Sequence, residues 1–401
     1  MKKFFLLSFF LIAGTVAFAQ SADEKSLFER VTKIEKKSDR FNLLLNMHSA
    51  FDAKFNYGGV DGFNGGNFYM RQLRIEAKGK VNNWLSYRWR QRLNRDNAGG
   101  SMIDNLPNSI DIAGIGVNFT DKLSMFGGKQ CAAYGGFEFD QNPIEIYEYS
   151  DIIENMSNFM SGITIAYDFN PNQQLQLQIL NSLNASTRAT YGTIPSDNAI
   201  DKSYGDVAAS RLPLVYTLNW NANMFGGVYQ TRWSVSAMNE AKDKFLYYIA
   251  LGNKFNFSKK VDLFVDLMSS IEQLDRKGII TNMCGGKALY NGHNSYNSLY
   301  NSVVAKMNYR FVPKWNFFVK GMVESAAVYK SEGVLNAGNY RTSLGYLTGI
   351  EYYPMNDSNL HFYLAYVGRS YFFTDKGKTF GNDDYSTQRI SVGFIYQLPM
   401  F

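Results

Sequence analysis

The chain has 401 residues with a formal net charge of +6, and 45% of its residues are hydrophobic and 16% aromatic. After residue 20 it contains no run of 18 apolar residues, which argues against a protein that crosses a membrane with helices. The small positive charge does not by itself indicate a nucleic-acid partner. The abundance of Gly, Tyr and Phe, with only 8 Pro and 2 Cys, instead favours a large β-protein.

The first residues have the layout of an export signal. Lys2 and Lys3 precede an apolar stretch at 4–12, and Ala17 and Ala19 frame a cleavage site of the A-x-A type. We therefore predict a signal peptide over residues 1–19 and a mature chain that begins at residue 20.

The next segment, residues 20–42, is rich in charge and contains Leu27, Val31 and Ile34 at helical spacing. This spacing predicts a short amphipathic helix in the periplasm. Two interpretations stay open for the segment: an oligomerisation or tethering element, or a mobile N-terminal tail.

From residue 43 the hydrophobic pattern changes to a period of two. Leu43, Leu45 and Met47 share one face, while Asn46 and His48 share the other. The pattern runs for about fifteen residues, beyond the ~5–6 of ordinary strands and enough for a tilted membrane crossing. We predict an amphipathic membrane strand.

The stretch NWLSYRWRQRLNR, residues 83–95, allows two interpretations. Arginines interleaved with aromatics suit the stacking of nucleic-acid bases. However, Tyr87 and Trp89 alternate strictly with Arg88, Arg90 and Arg92, so that one face is entirely compatible with lipid. The alternation favours a barrel strand whose arginines point towards the interior.

The same alternation recurs to the end of the chain and predicts about 16 strands, joined alternately by short turns and long loops. That organisation is typical of outer-membrane barrels, in which closure satisfies every backbone group. The predicted fold is all-β: a closed transmembrane antiparallel β-barrel over residues 43–401, with a short N-terminal periplasmic helix. A soluble sandwich or propeller would not place an aromatic face opposite an ionisable one. The strands are predicted near 43–57, 67–80, 84–95, 109–119, 123–130, 161–169, 174–184, 211–221, 225–237, 244–256, 261–274, 299–311, 315–328, 341–353, 359–372 and 386–400.

Three segments in order resemble a known family. They are YMRQLRIEAKGKVNNWLSYRWR (residues 69–90), FGGKQ (126–130) leading into a long third loop, and the terminal Phe401. With them the chain resembles bacterial porins, and within these the phosphate-selective porin O/P family of Gram-negative bacteria. One departure is that Phe401, after Pro399, lies out of phase with the preceding strand residues.

The resemblance implies a water-filled channel of sixteen strands in the outer membrane, usually a homotrimer. It also implies that the third loop, residues 131–160, folds inward as a constriction, and that the barrel assembly machinery reads the terminal aromatic. The implied partners are outer-membrane lipid, small hydrophilic solutes and inorganic ions.

Two sets of charges are candidates for filtering solutes in such a lumen. The predicted pore-lining bases are Arg74, Lys78, Arg88, Arg90 and Arg92. The third loop contains no Lys or Arg, and its predicted constriction acids are Glu138, Asp140, Glu145 and Glu148. For each charge the alternative is a structural role: the bases pair with neighbouring acids, or the acids lie on a solvated outer loop.

Acids on the loop opposite a wall of arginines would create a transverse field across the constriction. Such a field favours small hydrated solutes, so the leading hypothesis is a general porin for passive diffusion with a weak preference for anions. The alternative is a phosphate- or anion-selective channel, which needs bases along the whole constriction. A structural barrel closed by its loops is a further alternative.

An enzyme is the hypothesis from another class. His48, His293 and His361 form no evident Ser/His/Asp grouping, and they lack metal-ligand spacing. We therefore expect no catalysis, no cofactor, no metal and no nucleic-acid partner. Whether Cys131 and Cys284 form a disulfide stays open.

Overall fold

The computed structural model describes residues 38, 40–59, 61–95, 103–192, 207–290, 292–356 and 358–400. The predicted signal peptide lies outside these residues, and so does nearly all of the predicted periplasmic helix. Both therefore stay predictions. In the described part of the chain, no helix has the length and apolarity that a membrane crossing requires.

Sixteen antiparallel strands form a closed barrel, in which β1 pairs with β2 on one side and with β16 on the other. The prediction of a closed 16-stranded barrel is thereby confirmed. The strands are β1 Asn42–Tyr57, β2 Gly62–Lys80, β3 Leu85–Arg92, β4 Ile110–Asn118, β5 Leu123–Cys131, β6 Phe159–Asn170, β7 Gln173–Asn181, β8 Leu214–Met224, β9 Tyr229–Ala241, β10 Lys244–Asn256, β11 Val261–Leu274, β12 Tyr296–Val312, β13 Trp315–Val328, β14 Gly338–Tyr352, β15 His361–Phe373 and β16 Tyr385–Pro399.

Side chains alternate between the two faces of the wall as the period of two predicts. On β1, Asn46, His48 and Asp52 are fully buried on the inner side, while Met47 and Phe51 between them are only partly buried. The apolar residues of the outer face lie where lipid contacts a barrel, and the polar residues face the interior.

Five short helices lie in the long connections among the described residues: α1 Phe137–Asp140, α2 Asp151–Glu154, α3 Thr187–Tyr191, α4 Ile279–Met283 and α5 Asp375–Lys378. Single 3₁₀ turns occur at Pro143–Glu145, Phe225–Gly227 and Lys287–Tyr290. Helices α1 and α2 belong to the connection between β5 and β6, which we call the third loop. The thiols of Cys131 and Cys284 are both free.

The turn between β8 and β9 lies further along the chain than the alternation predicts. The structure places it at Phe225–Gly227, after the predicted break at 222–224. Gly226 and Gly227 adopt φ angles of 65° and 93°, which are accessible to glycine at little cost. The two glycines therefore set the position of the turn.

Several β-bulges interrupt the regular pairing near the start of the barrel, and two of them skip a charged residue. Between β1 and β2, His48 pairs with Gln72 and Ser49 with Met70, so that Arg71 is skipped. Between β3 and β4, Arg90 pairs with Ile112 and Gln91 with Ile110, so that Asp111 is skipped. A bulge shifts the alternation by one residue and re-aims the extra side chain.

Candidate pore lining

The barrel encloses a cavity of about 1730 Å³, which we call the lumen cavity. Residues of β2 to β5, the third loop and the first residue of β6 line part of it, and residues of β7 to β16 line the rest. Its lining includes thirteen Lys and Arg side chains and seven Asp and Glu side chains. The excess of bases gives the cavity a positive potential.

Four arginines of β2 and β3 line one side of the lumen cavity, and we call them the arginine wall: Arg74, Arg88, Arg90 and Arg92. Arg74, Arg90 and Arg92 share one carboxylate, that of Asp111, at 3.4, 3.4 and 2.9 Å. Arg88 forms an ion pair with Glu76 at 2.9 Å. Two acids therefore face four guanidinium groups.

Arg74 is the most enclosed member of the arginine wall, with 1% of its surface exposed. Its Nε and Nη1 atoms have no hydrogen-bond partner among the described residues. Holding a charged guanidinium in this position is costly unless a negative charge lies close by. The neighbouring acid, Asp111, is shared with two other arginines, so positive charge is left over.

The acids of the third loop pair with a different part of the wall. Glu138 contacts Lys320 of β13 at 2.5 Å, and Asp140 contacts Arg232 of β9 at 3.0 Å. These pairs fasten the helix α1 and its C-terminal end to strands far along the chain from the arginine wall.

The second half of the third loop makes ion pairs of the same kind. Glu148 lies 2.9 Å from Arg389 of β16. The carboxylate of Asp151 accepts hydrogen bonds from Arg341 of β14 and Arg369 of β15. We call the five bases that bind loop acids the loop-facing wall: Arg232, Lys320, Arg341, Arg369 and Arg389.

A wall carboxylate also holds the loop backbone. Asp266 of β11, which is fully buried, accepts hydrogen bonds from the N–H groups of Phe137 and Glu138 at 2.9 and 2.7 Å. Next to it, a Cβ atom on Gly252 would lie only 2.8 Å from the Cα of Gly136. The loop therefore approaches the wall so closely that glycine is needed at the contact.

Tyr147 adds an aromatic anchor in the middle of the third loop. Its ring stacks on Phe318 with a centroid distance of 4.8 Å and meets His48 edge-on at 6.0 Å. Its hydroxyl donates a hydrogen bond to Glu351 at 2.8 Å. Stacked and edge-on contacts of this kind stabilise buried aromatic pairs.

Two loop acids that reach the cavity have altered acidity. Asp140 and Glu145 both line the lumen cavity. Enclosure by the surrounding barrel raises the pKa of Glu145, although Lys306 and His361 oppose that shift. The same enclosure raises the pKa of Asp140, against the opposing effect of Arg232. Both carboxyls therefore lose their charge at a higher pH than free carboxyls do.

The predicted site residues fall into separate groups. Arg74, Arg90 and Arg92 come together around one acid, and Arg88 lies beside them on β3. Lys78, in register with Arg88 on β2, is not part of the cavity lining. Of the predicted loop acids, Asp140 and Glu145 line the cavity, while Glu138 and Glu148 bind the loop-facing wall.

Three important residues are absent from the sequence predictions. Asp111 and Arg71 sit at the two bulges, where the period of two assigns a residue to the wrong face. Arg71 binds Asp52 inside the barrel at 2.6 Å. Arg232 is different: its alternation with Ser234 and Ser236 on β9 was a sufficient signal for an inward base.

A closed sixteen-stranded barrel around a polar, charge-lined cavity defines the class of the protein: it is an outer-membrane porin, a channel rather than an enzyme. The model of the family "phosphate-selective porin O and P" matches residues 41–398. The chain belongs to this family.

Solved outer-membrane structures show the same fold at low identity. The outer-membrane channel DcaP of Acinetobacter baumannii is 12% identical with a TM-score of 0.58, over 90% of this chain and 99% of that one. An anion-selective porin from Comamonas acidovorans is 9% identical with a TM-score of 0.51, over 89% and 99%. The trimer form of Vibrio cholerae OmpT, folded in vitro, is 12% identical with a TM-score of 0.50, over 89% and 100%. A comparison with the sequences of curated proteins returned no match.

Proposed function

We propose that this porin is an anion-preferring channel, with phosphate among the anions that it passes. The observation that carries the proposal is the unequal pairing of charge around the lumen cavity. The third-loop acids Glu138, Asp140, Glu148 and Asp151 are bound to bases of the loop-facing wall. The arginine wall keeps positive charge that its two acids do not balance.

This arrangement favours a phosphate- or anion-selective channel over a general-diffusion porin. A transverse field needs free loop acids opposite free arginines, whereas four loop acids are already neutralised by their own partners. The family assignment and the anion-selective porin of the same fold point in the same direction. Anion preference through a lumen of excess positive charge follows from ordinary electrostatic focusing.

We propose further that the third loop, predicted over residues 131–160 and lying between β5 and β6 in the structure, is the constriction. Three kinds of contact join this loop to inward-facing residues of distant strands. They are its ion pairs, the hydrogen bonds from its backbone to the carboxylate of Asp266, and the stacking of Tyr147 on Phe318. The four bases of the arginine wall would attract the anion into the lumen cavity. Lys78, further along β2 and outside the cavity lining, would add to this attraction from a distance. Asp140 and Glu145 would then be the loop acids that a passing ion meets.

The assembled form that we propose is a homotrimer in the outer membrane, as in the trimer form of OmpT that shares this fold. The mature chain would carry the short periplasmic helix of residues 20–42 after removal of residues 1–19. Chemical cross-linking of the folded protein, analysed on a gel before and after heating, tests the trimer directly. A ladder that stops at dimers or monomers would contradict it.

The proposed selectivity is tested by uptake into proteoliposomes that contain the purified porin. Labelled phosphate and labelled rubidium are offered in parallel to vesicles of one preparation. We expect phosphate to enter faster, and unlabelled chloride in excess to slow its entry by competition for the same lumen. Equal entry of phosphate and rubidium would support the general-diffusion hypothesis instead.

A further inference from the structure

The arginine wall borders an apolar surface inside the lumen cavity. The ring of Phe159 lies beneath two guanidinium groups, with centroid distances of 5.0 Å to Arg90 and 5.6 Å to Arg92. Phe159 is the first residue of β6, where the third loop ends, and it lines the cavity. It is only partly buried, so part of the ring remains available to a solute.

Three more apolar side chains line the same cavity. Ile110 lies next to Asp111 on β4, and Tyr149 and Met156 project from the third loop. All three line the lumen cavity and are partly buried. We call Ile110, Tyr149, Met156 and Phe159 the apolar strip.

An inorganic anion gains nothing from the apolar strip. Chloride and phosphate are strongly hydrated, and apolar neighbours only remove water from them. An anion with an apolar body can instead place its charge against Arg90 or Arg92 and bury its body against Phe159 and Met156. An aromatic ring can also lie against a guanidinium plane, because arginine stacks on aromatic faces.

Acids near the strip do not exclude such a ligand. Asp111 is shared among three arginines, which leaves it little free negative charge to repel a carboxylate. Glu154 of the third loop also lines the cavity, and its enclosure raises its pKa, with Glu148 adding to the shift. The local balance therefore stays positive beside the strip.

We infer that the arginine wall and the apolar strip together form a binding site for organic anions with an apolar body, aromatic monocarboxylates in particular. This inference rests on the proposed anion preference and adds to it a class of solute that charge alone does not select. Residues Arg90 and Arg92 hold the carboxylate, and Phe159 and Met156 hold the ring.

The test compares benzoate with acetate, which carries the same carboxylate without the ring. Each is added to the full-length porin in a planar bilayer while the chloride current is recorded, and the potassium and chloride permeabilities are measured in the same membranes. We expect benzoate to halve the chloride current at about one tenth of the acetate concentration that does so.

Variants of the strip locate the effect. Phe159→Asn and Met156→Gln, examined separately in case one barrel fails to fold, should bring benzoate to within about twofold of acetate. Met355→Asn is the matched control, because Met355 also lines the cavity but lies between β14 and β15, outside the strip. It should keep the wild-type difference.

The experiment distinguishes a failure of the organic-anion site from a failure of the proposed anion preference. Equal block by benzoate and acetate in a channel that still prefers chloride overturns the inference and leaves the proposed function intact. Loss of the difference in Met355→Asn as well would overturn the assignment to the strip. A wild-type channel without any anion preference would overturn the proposed function and this inference together.

Discussion

The arginine wall and the loop-facing wall differ in how their bases are paired. All four bases of the arginine wall line the lumen cavity, whereas Arg232 alone of the five loop-facing bases does so. Each of the five bases of the loop-facing wall contacts an acid of the third loop. On the arginine wall, Arg74, Arg90 and Arg92 share the single carboxylate of Asp111 within the part of the chain that the structure describes. The electrostatic field inside a barrel therefore depends on which charged side chains lack a balancing partner. Counting the acids and bases along the chain does not identify those side chains.

The largest expected effect comes from breaking a pair on the loop-facing wall. Glu138 is fully buried and binds both Lys320 and the backbone N–H of Ser150. In the variant Glu138→Gln the buried ammonium of Lys320 loses the carboxylate that pairs with it and keeps the neutral carbonyl of Glu148 as an acceptor. The loss of the charged partner should lower the free energy of unfolding by about 3 kcal/mol. Urea unfolding of the refolded barrel, followed by tryptophan fluorescence, measures this loss.

Asp121→Asn is the control for that experiment, because Asp121 is an exposed acid in the short turn between β4 and β5. It should change the free energy of unfolding by less than about 0.5 kcal/mol. Equal stability of the Glu138→Gln variant and the wild type would show that the ion pair contributes little to holding the loop.

On the arginine wall we expect a change in selectivity instead. The double variant Arg90→Gln/Arg92→Gln leaves Asp111 with Arg74 alone and removes most of the unbalanced charge. The ratio of chloride to potassium permeability should fall about tenfold. The matched control is Arg310→Gln/Lys314→Gln, which removes two cavity-lining bases at the end of β12 and in the turn that follows.

The control pair should lower the permeability ratio much less, because a field is screened over a distance of about 10 Å in salt. Identical losses in the two double variants would mean that total charge, and not the arginine wall, sets the selectivity.

A smaller effect should follow from releasing a base of the loop-facing wall. Glu148 neutralises Arg389 at 2.9 Å and also lies 3.8 Å from Arg369. In Glu148→Gln the freed charge should raise the chloride-to-potassium permeability ratio about threefold. Asp383→Asn removes an exposed acid between β15 and β16 and should leave the ratio unchanged. A fall of the ratio in Glu148→Gln would contradict the pairing that we describe.

The smallest effect concerns pH. Because enclosure raises the pKa of Glu145 and of Asp140, acidification discharges them before ordinary carboxyls. Lowering the pH from about 7 to about 5 should therefore raise the preference for chloride about twofold. The variant Glu145→Gln should show a smaller rise in the same titration of reversal potential. A preference that weakens on acidification would contradict the assignment of these acids to the pore.

Much of the barrel follows from local pattern. A lipid-facing residue must be apolar and its neighbours must face the lumen, so the period of two appears in the sequence of each strand. The inward positions of Arg88, Arg90 and Arg92 follow from this rule alone. The pattern also predicts the number of strands, sixteen, because each alternating segment is separated from the next by a turn or a loop and can be counted.

The site itself was only partly predictable. Bulges break the period of two, which hid the inward positions of Arg71 and Asp111. The partners of the loop acids are also non-local: Glu138 and Lys320 are 182 positions apart. Only barrel closure brings such residues together, so the sequence could indicate an acidic loop but not the wall that neutralises it.

The reversal potential of the wild-type channel under a gradient of potassium chloride tests the central claim most directly. An unbalanced arginine wall predicts a potential with the sign of chloride permeation, and a shift towards zero in Arg90→Gln/Arg92→Gln. A wild-type potential with the sign of potassium permeation, or one that the double variant leaves unchanged, would contradict the account.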